Sequence, residues 1–328
     1  MGDCSFPNQS RASCQPLIFT PKQSGSLNIQ QTHMASKLKA KAPSQVEPSK
    51  PKILIFGASG YGKTWFSLDF KSCFYLDTEG GASRTHYMEK LTKSGGMIMG
   101  PEDGSLDPDV VISQFQALAT EKHQFKTVVV DSITKLFNSI VANEAERLGD
   151  KDAFGASKKP ALSFMRRLVN WIHRLDMNVI LICHQKDEWG QDAQGNRIQT
   201  GVTFDCWDKL EYELDLAFQV TKQGNSRYGV VRKSRLLGFP DKDKFPLTYD
   251  EFALRYGKDV IEKEVAVITL ATPEQVAEIE RLSSVIKMTE DEKQKWLTKA
   301  SASEWNELST EQADKAVAAL QNKINPTK

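Results

Sequence analysis

The apolar run Lys52-Ile-Leu-Ile-Phe56 passes without a break into Gly57-Ala58-Ser59-Gly60-Tyr61-Gly62-Lys63-Thr64. The pattern G-x-x-x-x-G-K-[S/T], entered from a strand and left into a helix, makes a narrow demand on the fold. The glycines let the backbone wrap a phosphate so that successive N–H groups point inward, and the helix start adds its positive dipole. Lys63 would neutralise the β- and γ-phosphate oxygens, and the Thr64 hydroxyl would ligate Mg²⁺. The rest of the chain should then supply the sheet to which this strand belongs.

Further short apolar runs supply it: Cys73–Leu76, Val128–Val130, Val179–Ile182, Leu214–Val220, Tyr228–Val231 and Val265–Leu270. Several are continuous rather than alternating, as strands buried on both faces should be. Between them, Asp107–Lys122 and Ala161–Leu175 carry apolar residues at helical spacing. Strands alternating with helices predict an α/β fold with a mostly parallel sheet flanked by helices. The turn at Gln223-Gly224-Asn225-Ser226 predicts an antiparallel edge hairpin. Residues 1–50 are rich in Gln, Ser, Pro and Lys and are expected to be disordered. Met34 opens a stretch that itself reads as a protein start, so residues 1–33 are expected to be dispensable. Residues 51–271 form the main domain. Residues 272–328 open with Thr272-Pro273-Glu274-Gln275, an N-cap followed by Pro and a capping Gln. They predict a small helical module with segments at about 274–287, 290–298, 302–307 and 310–324.

Composition excludes several classes. A net charge of +1 excludes a strongly basic nucleic-acid binder of the histone kind, though not a local basic loop. No apolar run is long enough to cross a membrane. The start, MGDCSFPNQSRASC, lacks the apolar core of a secretory signal. The five cysteines lie far apart and form no C-x-x-C pair, which predicts reduced thiols in the cytoplasm, with no disulfide framework and no zinc site.

Three strand ends carry candidate chemistry. Thr127-Val-Val-Val130-Asp131 ends in a carboxylate placed to hold the water shell of Mg²⁺. Ser132 follows, so a hydrolytic base must come from elsewhere. Glu79, in Asp77-Thr78-Glu79-Gly80-Gly81, stands just past the second run, and Asp77 is the next candidate. His184 and Gln185 follow Val179–Ile182, where a polar side chain can touch a γ-phosphate. Open α/β sheets place ligands along this edge.

Together these pieces resemble the RecA-type P-loop ATPase core over about residues 51–240. The resemblance implies ATP and Mg²⁺ as ligands, Glu79 as catalytic base, and Gln185 as the switch linking ATP to DNA. His184 departs from the Asn usual at its position. Val231-Arg232-Lys233-Ser234-Arg235 is similar to a stretch whose two cations reach a neighbouring subunit's ATP, which implies that Lys233 and Arg235 act in trans. A nearer likeness is to the short RecA-like ATPases of bacteriophages that anneal single strands. It implies single-stranded DNA as partner, assembly into a ring or filament, a bacterial host cytoplasm, and a C-terminal module that docks a single-strand-binding or other recombination protein. By the same likeness two loops should meet DNA: 149–159, with Lys151, Phe154, Lys158 and Lys159, and 186–201, with Trp189 and Arg197. The second reads as a long loop without regular structure, or as a solvated hairpin. Two other readings stay open: a P-loop kinase of a small molecule or nucleotide, and a nucleotide-gated adaptor without turnover.

Overall fold

A computed structural model describes residues 48–81, 85–153 and 155–325. Residues 1–47 and Phe154 lie outside it. Of the segment 1–50 expected to be disordered, only 48–50 are described, and there Lys50 is buried and donates to the carbonyls of Lys263 and Glu264.

The described residues form ten strands: β1 (Lys52–Phe56), β2 (Cys73–Asp77), β3 (Met97–Met99), β4 (Thr127–Asp131), β5 (Asn178–Cys183), β6 (Gln185–Gln191), β7 (Arg197–Phe204), β8 (Leu216–Gln223), β9 (Ser226–Ser234) and β10 (Lys244–Pro246). Eight of them form one sheet in the order β10-β9-β8-β1-β5-β4-β2-β3. From β8 to β3 all neighbours are parallel, and β9 and β10 add the antiparallel edge. The fold is an α/β P-loop NTPase fold.

Side chains alternate across the central strands as the pleat requires. Leu54 and Phe56 face one layer with Leu76, Val128 and Val130; Ile53 and Ile55 face the other with Tyr75 and Val129. The first layer is covered by helices α3 (Pro108–Thr120), α4 (Ile133–Leu148) and α5 (Lys158–Arg174). The second is covered by α1 (Lys63–Ser67), α7 (Tyr249–Tyr256) and α8 (Lys258–Glu262). The remaining core helices are α2 (Thr85–Lys93) and the short α6 (Leu210–Glu213). Helix α5 begins three residues before the predicted start, so Lys158 and Lys159 sit in its first turn rather than in a loop.

One expectation fails. Val265–Leu270 is not a strand. Val265, Ile268 and Leu270 pack against the α3–α5 layer, and Ile268 N–H donates to the Ala119 carbonyl. Its apolar side chains are satisfied by helices, and only Leu270 bridges to Ser309. Of the two readings open for residues 186–201 the structure has the hairpin, β6 and β7 forming a separate two-stranded antiparallel unit. Asp192 Oδ1 accepts from the N–H groups of Gln194 and Asn196 and closes its turn. Cross-strand polar pairs such as Gln199 to Asp187 hold it, so no apolar period betrays it.

Beyond the core, α9 (Pro273–Val285), α10 (Glu290–Lys299) and α11 (Thr310–Ile324) enclose their own cluster around Ile279, Leu297, Trp305 and Leu320. Each begins with a reciprocal capping box, at Thr272/Gln275, Thr289/Glu292 and Ser309/Gln312. Glu307, only 2% exposed, ties this cluster to the core. It accepts from Gln116 of α3, from Arg167 of α5 and from its own Ser303 N–H.

Candidate nucleotide site

β1 sits in the middle of the sheet, so the loop it feeds opens between strand ends on both sides. Gly57 needs to be glycine: a Cβ there would lie 2.7 Å from the Val220 carbonyl oxygen on β8. Gly62 takes φ 92° as the N-cap of α1. Lys63 Nζ folds back over the loop and donates to the carbonyls of Gly57 (2.7 Å) and Ala58 (3.0 Å). Burial holds its pKa below the ordinary lysine value, while Asp131 and Glu79 pull the other way.

Thr64 Oγ1 donates to Asp131 Oδ2 at 2.5 Å, and the Tyr75 hydroxyl donates to the same oxygen at 2.7 Å. Burial pushes the Asp131 carboxyl up, and these two donors oppose it. A hydroxyl and a carboxylate this close are hard oxygen donors of the kind Mg²⁺ takes, with water and phosphate filling the other positions. The donor set therefore fits the ion.

Glu79 stands past the end of β2. Asp77 Oδ1 accepts from the N–H groups of Glu79 and Gly80, both at 2.9 Å, and Gly80 turns the chain with φ 69°. Asp77 thereby shapes the turn that presents Glu79. Glu79 Oε1 accepts from Ser132 Oγ (2.7 Å) and from His184 Nε2 (2.5 Å). Burial raises the Glu79 pKa, but these two donors outweigh it, and the carboxyl rests below its usual range. The three side chains come from the ends of β2, β4 and β5, which are neighbours in the sheet.

A cleft of about 860 Å³ joins these groups. The phosphate loop, Asp131, Glu79, His184 and Gln185 line it, together with Trp65, His86, Tyr87 and Arg227, which sequence spacing did not single out. A side cavity of about 400 Å³ shares Gly62, Trp65 and Arg227 with it and adds Phe66, Asp69, Tyr228 and Leu247. Tyr61 of the phosphate loop does not line the cleft and packs on the core instead.

A family model described as an AAA domain matches residues 49–244, more than half of the chain. The chain belongs to the AAA domain family. No curated protein matches it. The AAA domain thus spans β1 to the start of β10 and holds every cleft residue named above, while α9–α11 lie beyond it.

The remaining predicted residues stand apart from the AAA-domain cleft. Leu216 of β8 lies beside Ile53 and Gln219 beside Phe56, and β9 runs back along β8 with Lys233 opposite Ala217. Lys233 and Arg235 are therefore at the edge where β1 begins, away from their own phosphate loop. There they donate to the carbonyls of Leu214 and Tyr212. Lys151 occupies a short 3₁₀ turn after α4. Trp189 and Arg197 face each other across the β6–β7 hairpin, the guanidinium 4.4 Å from the ring centre.

Proposed function

We propose that this AAA-domain protein binds ATP with Mg²⁺, hydrolyses it, and couples turnover to single-stranded DNA, pairing or annealing strands as an oligomer. One observation carries the hydrolytic part: Glu79 is fixed beside the Thr64–Asp131 pair through a single carboxylate oxygen. Oε2 takes no hydrogen bond among the described residues. Ser132 and His184 thus orient the group while the second oxygen is left for water. In this reading Oε2 accepts a proton from water as its oxygen attacks the γ-phosphorus. The bond to the β-phosphate oxygen breaks and ADP leaves with that electron pair. Lys63 and the loop amides hold the charge that develops, and Thr64 and Asp131 would hold Mg²⁺, which would supply charge to screen the phosphates. Trp65, His86 and Tyr87 offer an aromatic wall for a nucleobase, with His86 and Tyr87 ring centres 4.2 Å apart.

The DNA reading is supported by how the hairpin is mounted. It starts at Gln185, which lines the cleft, and carries Trp189, 50% exposed, under Arg197. An exposed ring beside a cation suits a stacked base and its phosphate. Lys151, Lys158 and Lys159 would add charge on the α4–α5 side. The test is ATP turnover with and without single-stranded DNA, and stimulation is the expected result. Stimulation by small acceptors alone would favour a kinase, and ATP binding without turnover an adaptor. Trp189→Ala should cut DNA affinity about tenfold or more, at 1–3 kcal/mol per stacked base, and leave ATP affinity unchanged. Equal DNA affinity in a gel-shift titration would remove the hairpin from the interface.

A further inference from the structure

Arg227 opens β9 at the phosphate-loop edge of the sheet, and the Leu247 N–H bonded to its carbonyl fixes its backbone. Its side chain lies over the N-cap of α1: a Cβ built on Gly62 would meet Arg227 Cδ and Nε at 2.8 Å. It forms part of the wall of both the main cleft and the side cavity. The side cavity includes neither Lys63 nor Asp131 nor Glu79. Arg227 therefore stands at the end of the cleft away from the hydrolytic carboxylate.

No hydrogen bond, ion pair or ring contact engages the Arg227 side chain among the described residues. Asp69, the carboxylate lining the side cavity, is held by Lys90 at 2.7 Å. The cross-strand neighbour is Lys222, another cation. An unneutralised guanidinium is thus mounted on a strand beside a loop built to hold phosphate. Guanidinium meets phosphate in a fork that no water-separated charge reproduces.

We propose that Arg227 is a nucleotide-binding residue acting in cis, gripping a nucleoside di- or triphosphate at its α-phosphate and base end. The inference rests on the proposed ATP site. It also assigns β9 two jobs. Lys233 follows six residues later on the same strand, roughly 20 Å away at strand rise, at the opposite edge of the sheet. The strand that grips the nucleotide of its own subunit is the one that carries the cations proposed to serve a neighbour.

The test is calorimetric titration of ATP and of ADP, with Mg²⁺, into the full chain, Arg227→Ala, Arg227→Lys and Lys63→Ala. Arg227→Ala should weaken both nucleotides about tenfold, or about 1.4 kcal/mol, and Arg227→Lys by less. Turnover at saturating ATP should barely change, so the defect appears in KM. Arg227 is exposed, and an unaltered melting temperature would show that the variant is folded. Unchanged affinity for both nucleotides, with Lys63→Ala defective, overturns the role of Arg227 and leaves the ATP site standing. A loss confined to ATP overturns the placement at the α-phosphate end. Failure of the unmodified chain to bind either nucleotide would overturn the ATP site and this inference together.

Discussion

Glu79 spends one oxygen on Ser132 and His184 and keeps the other for water. Glu79→Gln preserves shape and loses the basic oxygen, so ATP affinity should hold while turnover falls at least about 100-fold. Near-normal turnover in that variant would move the base elsewhere. Because its pKa is depressed, Glu79 stays ionised at neutral pH, and its contribution to turnover should fade only as pH drops through that lowered value. Lys52 is also lowered, but there burial favours the neutral form. Its Nζ is buried against the carbonyls of Leu175 and Met177, and burial lowers its pKa from 10.5 to about 7. Between those values the unfolded chain binds more protons than the folded one, so stability rises with pH. The slope is at most about 1.4 kcal/mol per pH unit. Lys52→Met should flatten it in urea unfolding at pH 7, 8 and 9, and parallel curves for the two proteins would contradict the assignment. Lys63, Thr64 and Asp131 were legible because their spacing is local. Arg227, Tyr75 and Ser132 were not, since they reach the cleft through strand pairing and share no local spacing with it.

Among elements, those whose own residues encode them were read well. The capping box at Thr272 and Gln275 announced α9, and the continuous apolar runs announced β1, β2, β4 and β5. Val265–Leu270 misled because an apolar run records burial, and here helices supply it rather than a strand. The β6–β7 hairpin stayed an open alternative to an irregular loop because polar cross-strand pairs leave no apolar signature. The docking of α9–α11 was equally silent, since Glu307 looks like any surface acid until Arg167 and Gln116 are brought to it. Glu307→Ala strands Arg167 and the Ser303 N–H without their acceptor. It should cost about 3 kcal/mol, at the low end for breaking a buried pair because Arg167 stays partly in water. Faster cleavage between α8 and α9 in limited proteolysis, with a lower unfolding midpoint, is the expected outcome, and an unchanged midpoint would show that the ion pair does not hold the module.

For the whole molecule, Lys233 and Arg235 lie at the sheet edge opposite the cleft, so on the proposed oligomeric reading they would serve the nucleotide of another copy. Lys233→Ala/Arg235→Ala and Lys63→Ala should each be inactive in DNA-dependent ATP hydrolysis. Mixed together they can form an interface with an intact loop facing intact cations, and partial recovery is expected. Normal turnover by the double variant alone would end the idea. The sheet order also has a consequence for synthesis. β1 is translated first, but its neighbours are β5 and β8, whose first residues are Asn178 and Leu216. At 5–20 residues per second, roughly ten seconds pass before the first of them has been made. Through that interval the nascent chain carries a complete phosphate motif on an unpaired apolar strand. A ribosome stalled short of Asn178 would thus display Ile53–Phe56 to chaperones and hold no ATP, so nucleotide cannot assist the early steps of folding and can reward only a nearly finished chain.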